Sequence, residues 1–136
     1  MAHHDARIRV RYAETDQMGI VYHANYIVWM EVGRVEYFRA SGVAYATMEK
    51  EDGILLAVVE ANCRYIAPAR YDEEILVRTR VVESNRRMAR FGYEILRSAT
   101  LDRLAEGETR HIFLNREMRP ARLPDKYLSL FAADPA

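Results

Sequence analysis

YAETDQMGIVYHANYIVWMEVGRVEYFRA, residues 12–40, is the stretch on which the reading of the fold rests. It leaves a strand, turns at Asp16–Gly19 and enters the most apolar helical pattern of the chain at Asn25. At about 100° per residue, Tyr26, Trp29, Met30, Gly33, Tyr37 and Ala40 share one uncharged arc. Glu31, Arg34, Glu36 and Arg39 spread over the rest, mixed with Ile27, Val28, Val32, Val35 and Phe38. The apolar side is wide, so a sheet is expected to cover much of a helix spanning 25–40. Gly33 in mid-helix costs roughly 1 kcal/mol against alanine, which predicts a close approach there. Asn25 reads as the N-cap, and Ser41-Gly42 as the stop.

Upstream, RIRVRY at 7–12 alternates strictly, with Arg7, Arg9 and Arg11 on one face and Ile8, Val10 and Tyr12 on the other. That is a half-buried strand. Thr15 to Gly19 breaks the alternation, and Gly19 can take a positive φ. Residues 1–5, with His3 and His4, are expected to be disordered.

Downstream, Ala44 to Glu51 reads as a short helical turn ending at Asp52-Gly53. Ile54–Ile66, Ile75–Glu83, Ala89–Leu101 and Glu108–Met118 read as four strands, with turns at Ser84–Arg87 and Asp102–Gly107. Asp125–Ala132 reads as a short terminal helix. Short connections imply antiparallel pairing. The expected architecture is α+β: a curved antiparallel sheet of about five strands around one long helix, one domain over 1–136.

Half of the 136 residues are hydrophobic and formal charges cancel, which argues against bulk affinity for nucleic acid or anionic membrane. Lys50 and Lys126 are the only lysines; arginine carries nearly all the positive charge and suits phosphate contacts. The single cysteine, Cys63, excludes an intrachain disulfide and reads as a buried, inert thiol. No apolar run reaches a membrane span and no signal-like segment opens the chain. A cytoplasmic protein without membrane insertion is expected.

Several catalytic kits are missing. There is no G-x-S-x-G, no Walker loop and no G-x-G-x-x-G. Cys63 alone makes no zinc site, and His23 and His111 have no ligand spacing. What remains is Asp16 before a helix start. First-turn N–H groups are unpaired and lie at the positive end of the helix dipole. A carbonyl placed there is polarised, and losing one such donor costs about 3 to 4 kcal/mol in the transition state. The backbone N–H of His23, with that of Ala24, is the candidate donor. Asp16 would attack the carbonyl or deprotonate a water. A thioester suits this kit because a thiolate leaves without a strong general acid. The same residues also fit plainer uses: an Asx-turn for Asp16, polar helix entry for Tyr22 and His23, a cap for Asn25.

Thr15-Asp16-x-x-Gly19-Ile20-Val21-Tyr22-His23-x-Asn25-Tyr26, with Arg9-Val10 upstream, resembles the active-site signature of the 4-hydroxybenzoyl-CoA thioesterase family, the hotdog-fold acyl-CoA thioesterases. The likeness runs to the Arg119-Pro-x-Arg-Leu-Pro124 ending. The His after Tyr is similar to the subgroup associated with the bacterial Tol-Pal system.

The resemblance implies a hotdog fold, Asp16 as catalytic carboxylate, and the His23 amide in the oxyanion hole, with Tyr22 and Asn25 shaping the site. It implies acyl-CoA as substrate, no metal or redox cofactor, and a homodimer with active sites at the interface, often paired into a homotetramer. CoA phosphates would meet Arg86, Arg87 and Arg90, or else Arg64, Arg70, Arg116 or Arg119. Neither Glu31 nor Glu36 is needed as an acid. A hotdog dehydratase or hydratase, and a non-catalytic acyl-CoA binding module, are the alternatives. Tyr26, Trp29, Met30 and Phe38 could line an acyl tunnel or fill the core.

Overall fold

In the computed structural model, which describes residues 2–43 and 45–133, five strands form one antiparallel sheet with the long helix across one face. The strands are β1 His4–Arg9, β2 Leu55–Tyr65, β3 Glu74–Ser84, β4 Met88–Arg97 and β5 Arg103–Leu114, in the order β1-β3-β4-β5-β2. The helices are α1 Asn25–Ala40 and α2 Tyr45–Asp52, and a 3₁₀ segment, Asp125–Phe131, closes the described chain. Ala44, where the second helix was expected to begin, lies outside the described residues, as does Met1.

Helix α1 has the limits its periodicity predicts. Tyr26, Trp29, Met30, Gly33, Tyr37 and Phe38 are buried against the sheet. Phe38 takes the inward place expected for Ala40. The sheet covers one side only: Val28 is 51% and Val32 37% exposed. The close approach at Gly33 is real, since a Cβ there would stand 2.5 Å from Thr79 Oγ1 and 2.7 Å from Val77 Cγ1.

Strand β1 starts earlier and ends earlier than alternation suggests. His4 and Asp5, expected to be disordered, pair with Thr79 and Arg78 of β3. The carboxylate of Asp5 accepts from Arg78 Nε and Nη2 at 2.8 and 3.0 Å, an ion pair across neighbouring strands that secures the edge. Tyr12 is not on the inner face; it opens a 3₁₀ turn, Tyr12–Glu14, and is 77% exposed.

The turn between β4 and β5 also shifts. It spans 98–102, with Leu101 at φ 63 and Arg97 N–H donating to Asp102 O at 2.9 Å. Gly107, expected in that turn, lies within β5, where a Cβ would overlap the Asn62 carbonyl and meet Met30 Cε at 2.6 Å. This glycine serves packing rather than turning. Strand β5 ends at Leu114 rather than Met118, because Asn115 Oδ1 accepts from the N–H groups of Glu117 and Arg119 and bends the chain.

The core lies between α1 and the sheet. Phe131 seals its end against Phe38, Phe91 and Phe113, at centroid separations of 5.3, 6.1 and 5.2 Å. Burying such a side chain contributes about 1.5–3 kcal/mol. No described helix is long and apolar enough to cross a membrane. On the open side of the sheet order, β2 is an eleven-residue edge with Val58 and Val59 half exposed.

Candidate active site

Between β1 and α1 the chain runs out and back as a small closed loop. Thr15 bridges to Val21, and Tyr22 N–H donates to Glu14 O at 2.9 Å. Inside it, Asp16 N–H reaches Ile20 O at 2.9 Å and Gly19 N–H reaches Asp16 O at 3.0 Å. Gly19 has the positive φ, 78°, that this reversal needs. Val21 N–H donates to Ala69 O at 2.9 Å and seats the loop on the segment after β2. The Asx-turn is present as well: Asp16 Oδ1 accepts from Met18 N–H at 2.8 Å. Anchoring one oxygen aims the carboxylate.

The entry to α1 departs from the expected cap. Ala24 occupies the N-cap position, with no side-chain cap among the described residues. Asn25 Nδ2 instead donates to Glu14 O at 2.9 Å, bracing the loop against the helix. The N–H groups of Asn25 and Tyr26 are taken by Tyr22 O and His23 O at 3.0 and 3.3 Å. Those of His23 and Ala24 have no acceptor among the described residues. Two free donors at the positive end of a 16-residue helix are what a developing oxyanion requires.

Asp16 and His23 line one cavity of about 330 Å³ with Met18, Ile20, Tyr26 and Tyr65; residues 66–68 close its other side. Among the described residues Asp16 is the only carboxylate in that lining, and most of the wall is apolar or aromatic. Tyr65, at the end of β2, donates its hydroxyl to His23 O at 2.8 Å. Its ring stands edge-on to Tyr26 and His23, at 5.1 and 6.2 Å. Burial, with Cys63 and Tyr26 nearby, pushes the Tyr65 phenol up to about 12, so it stays a neutral donor. The His23 carbonyl it polarises belongs to the same peptide group as the Ala24 N–H, which strengthens that donor. Tyr26 is fixed in turn by Ala69 N–H, which donates to its hydroxyl at 3.1 Å.

A larger hollow of about 490 Å³ lies on the sheet between Arg64, Arg78, Arg80, Glu94, Arg103 and Glu106. Arg64 and Arg103 pair with Glu106, Arg103 also with Glu94, and Arg78 with Asp5; among the described residues the hollow sets no helix-terminal amide beside a carboxylate. Of the two, the smaller cavity is the one that sets a carboxylate beside helix-terminal amides without an acceptor among the described residues.

Of the residues singled out from sequence, Asp16 and His23 meet in the cavity and Tyr22 stands at its rim, its ring 4.5 Å from that of His23. The Arg86, Arg87 and Arg90 group is elsewhere. Met88 lies opposite Ile112, which lies opposite Ala57; eight residues of β2, about 26 Å at 3.3 Å each, separate that level from Tyr65. Arg86 pairs with Asp125, and Arg90 with Glu83 and Glu108 at 3.1 and 3.2 Å. Within one chain the arginines nearest the cavity in sequence are Arg64, beside Tyr65, and Arg70, beside Ala69. Trp29, Met30 and Phe38 fill the core; Tyr26 serves both core and cavity.

Sequence reasoning missed Tyr65 and Glu14. Tyr65 is 42 positions from the carbonyl it contacts, and nothing local signals the pairing. Glu14 is 5% exposed; a buried indole N–H at Trp29 needing an acceptor was the available clue.

Residues 10–131 match the thioesterase-like superfamily. A putative acyl-CoA thioesterase of Bacillus subtilis, YneP, is 50% identical over 92 residues, 68% of this chain; the match spans 66% of that protein, just under two thirds of its length. The crystal structure of a DHNA-CoA thioesterase from Staphylococcus aureus superposes with a TM-score of 0.87 at 36% identity, covering 95% of this chain and 85% of that one. A 4-hydroxybenzoyl-CoA thioesterase shares the fold, with a TM-score of 0.87 at 20% identity over 97% of this chain and all of the other (100%). The fold is therefore the hotdog fold, and with most of its length matched this chain belongs to the thioesterase-like superfamily.

Proposed function

We propose that this protein hydrolyses acyl-CoA thioesters to the free acid and CoA, with Asp16 as the catalytic carboxylate. The observation that carries this is the shared cavity of Asp16 and two unpaired helix-terminal amides, His23 and Ala24 N–H. Family membership and thioesterase relatives support the reaction class. The amides receive the thioester oxygen. Asp16 takes a proton from water, whose oxygen attacks the carbonyl carbon, or attacks that carbon itself to give an anhydride that water opens. The C–S bond breaks, the CoA thiolate leaves and is protonated, and no metal or redox group takes part. Tyr22 and Asn25 shape the entry, Asn25 through its brace to Glu14.

The working unit in this reading is a dimer through β2. That edge strand is long and carries exposed Val58 and Val59, and an unpaired edge of this kind invites another strand. Antiparallel pairing of two β2 strands brings the Leu55 end of a second copy beside Tyr65. It thereby carries that copy's Arg86, Arg87 and Arg90 toward the cavity, where CoA phosphates would need them. The charged open face of the sheet, with both signs present, suits pairing of dimers into a tetramer. The cytoplasm is the proposed location.

The test is thiol release from a panel of acyl-CoAs, short aliphatic to aromatic, by the parent and Asp16→Asn proteins. Turnover that depends on Asp16 supports the reading. Hydration of an enoyl-CoA without thiol release would point to a hydratase, and tight binding without turnover to a binding module.

A further inference from the structure

Glu14 is the only carboxylate among the described residues that is buried with the core. Every polar group it has is engaged. Oε1 accepts from Arg11 N–H at 2.7 Å, and Oε2 accepts from Trp29 Nε1 at 2.8 Å. Its carbonyl accepts from Tyr22 N–H and Asn25 Nδ2, both at 2.9 Å, and its N–H donates to Arg11 O at 3.0 Å. Burying a carboxylate is costly unless its hydrogen bonds are complete. Closing a single 3₁₀ turn would need only the bond to Arg11. The second oxygen reaches instead to the side chain of Trp29, one turn into α1.

The placement of these bonds ties the two halves of the reaction together. Asp16 is two residues after Glu14, and His23 directly follows Tyr22, whose N–H Glu14 holds. Trp29 and Asn25 fix the same point to the helix that presents the free amides. We propose that Glu14 is a positioning residue: its carboxylate locks the loop from Arg11 to Tyr22 onto α1, setting the separation between the Asp16 carboxylate and the His23 and Ala24 amides. This inference rests on the reading of Asp16 as the catalytic acid. Displacing a reacting group by about 1 Å can cost about 100-fold in rate, so the effect should fall on turnover rather than on binding.

Glu14→Gln keeps the shape, but its amide group can serve only one of the two N–H donors. Trp29→Phe keeps a ring and removes the indole arm alone. Each is expected to lower kcat about 10- to 100-fold with KM within about two-fold of the parent, while far-UV circular dichroism and oligomer mass are unchanged. The double variant should lose less than the product of the two single losses, since both weaken one connection. Kcat within two-fold of the parent in folded Glu14→Gln, a loss confined to KM, or losses that multiply in the double variant would overturn the proposal. If Glu14→Gln does not fold, Trp29→Phe decides by the same criteria. A parent without thiol release, or an active Asp16→Asn protein, would refute the catalytic reading instead, so the two failures are distinguishable.

Discussion

Asp16 and His23 are seven positions apart and face the same cavity, because Thr15–Val21 and Glu14–Tyr22 pairing closes the loop that carries the acid onto the helix that carries the amides. The acid is anchored through one oxygen by Met18 N–H. Among the described residues no side chain caps the helix, which leaves those amides without an acceptor.

Asp16→Asn separates chemistry from structure. The amide oxygen of asparagine can still accept from Met18 N–H, so the loop should persist. Thiol release is expected to fall about 100- to 10,000-fold, with circular dichroism and oligomer mass as in the parent. Near-parental turnover in a folded variant removes Asp16 from the mechanism.

Tyr65→Phe tests the support of the oxyanion donors. The ring contacts with Tyr26 and His23 remain, and the hydrogen bond to His23 O is lost. A typical net hydrogen bond of about 1 kcal/mol translates to a roughly five-fold lower kcat. His23→Ala keeps the backbone amide and should be far milder than Asp16→Asn. If its loss is as deep as that of Asp16→Asn, the imidazole is doing chemistry.

Gly33→Ala should destabilise the fold although alanine favours helix. The added methyl meets Thr79 Oγ1 and Val77 Cγ1 well inside contact distance. Overpacking of this kind costs about 1–3 kcal/mol, seen as a lower thermal midpoint. An unchanged or raised midpoint would show that α1 can lift off the sheet freely.

His111 predicts an acid limb of stability. Burial first, and then the charge of Arg34, lower its pKa from 6.5 to about 3. The depressed value means the contribution is fully present above pH 6.5 and is lost as pH falls toward 3, by up to about 1.4 kcal/mol per pH unit. His111→Gln can keep a bond to Thr109 and does not titrate. Denaturant midpoints between pH 4.5 and 7.5 should therefore fall less steeply in the variant; identical slopes would contradict a buried neutral imidazole.

Val59→Lys tests the edge of β2. A charge on an exposed edge strand opposes pairing with another strand. Sedimentation should show a smaller species, with acyl-CoA turnover reduced in parallel. An unchanged mass would move the interface away from β2.

Much of this was legible along the chain. The limits of α1, the turn at Gly19 and the tight spot at Gly33 follow from periodicity and residue size, which act within a few positions. Two of the misread positions are a glycine and an asparagine with two uses each. Gly107 suits a turn by composition but is required by Met30 and the Asn62 backbone. Asn25 suits a cap but braces Glu14. Asp5 looked like part of a loose end until Arg78 stood opposite it.

By itself the sequence determined one helix on an antiparallel sheet and singled out Asp16, because apolar period and turn chemistry are local and survive without knowledge of partners. Tertiary structure alone decided that Tyr65 and Glu14 serve that acid's neighbourhood and that the His23 and Ala24 amides stay unpaired. Those facts depend on which donors meet acceptors after the sheet has closed over the helix, and such pairings leave no pattern in the order of residues.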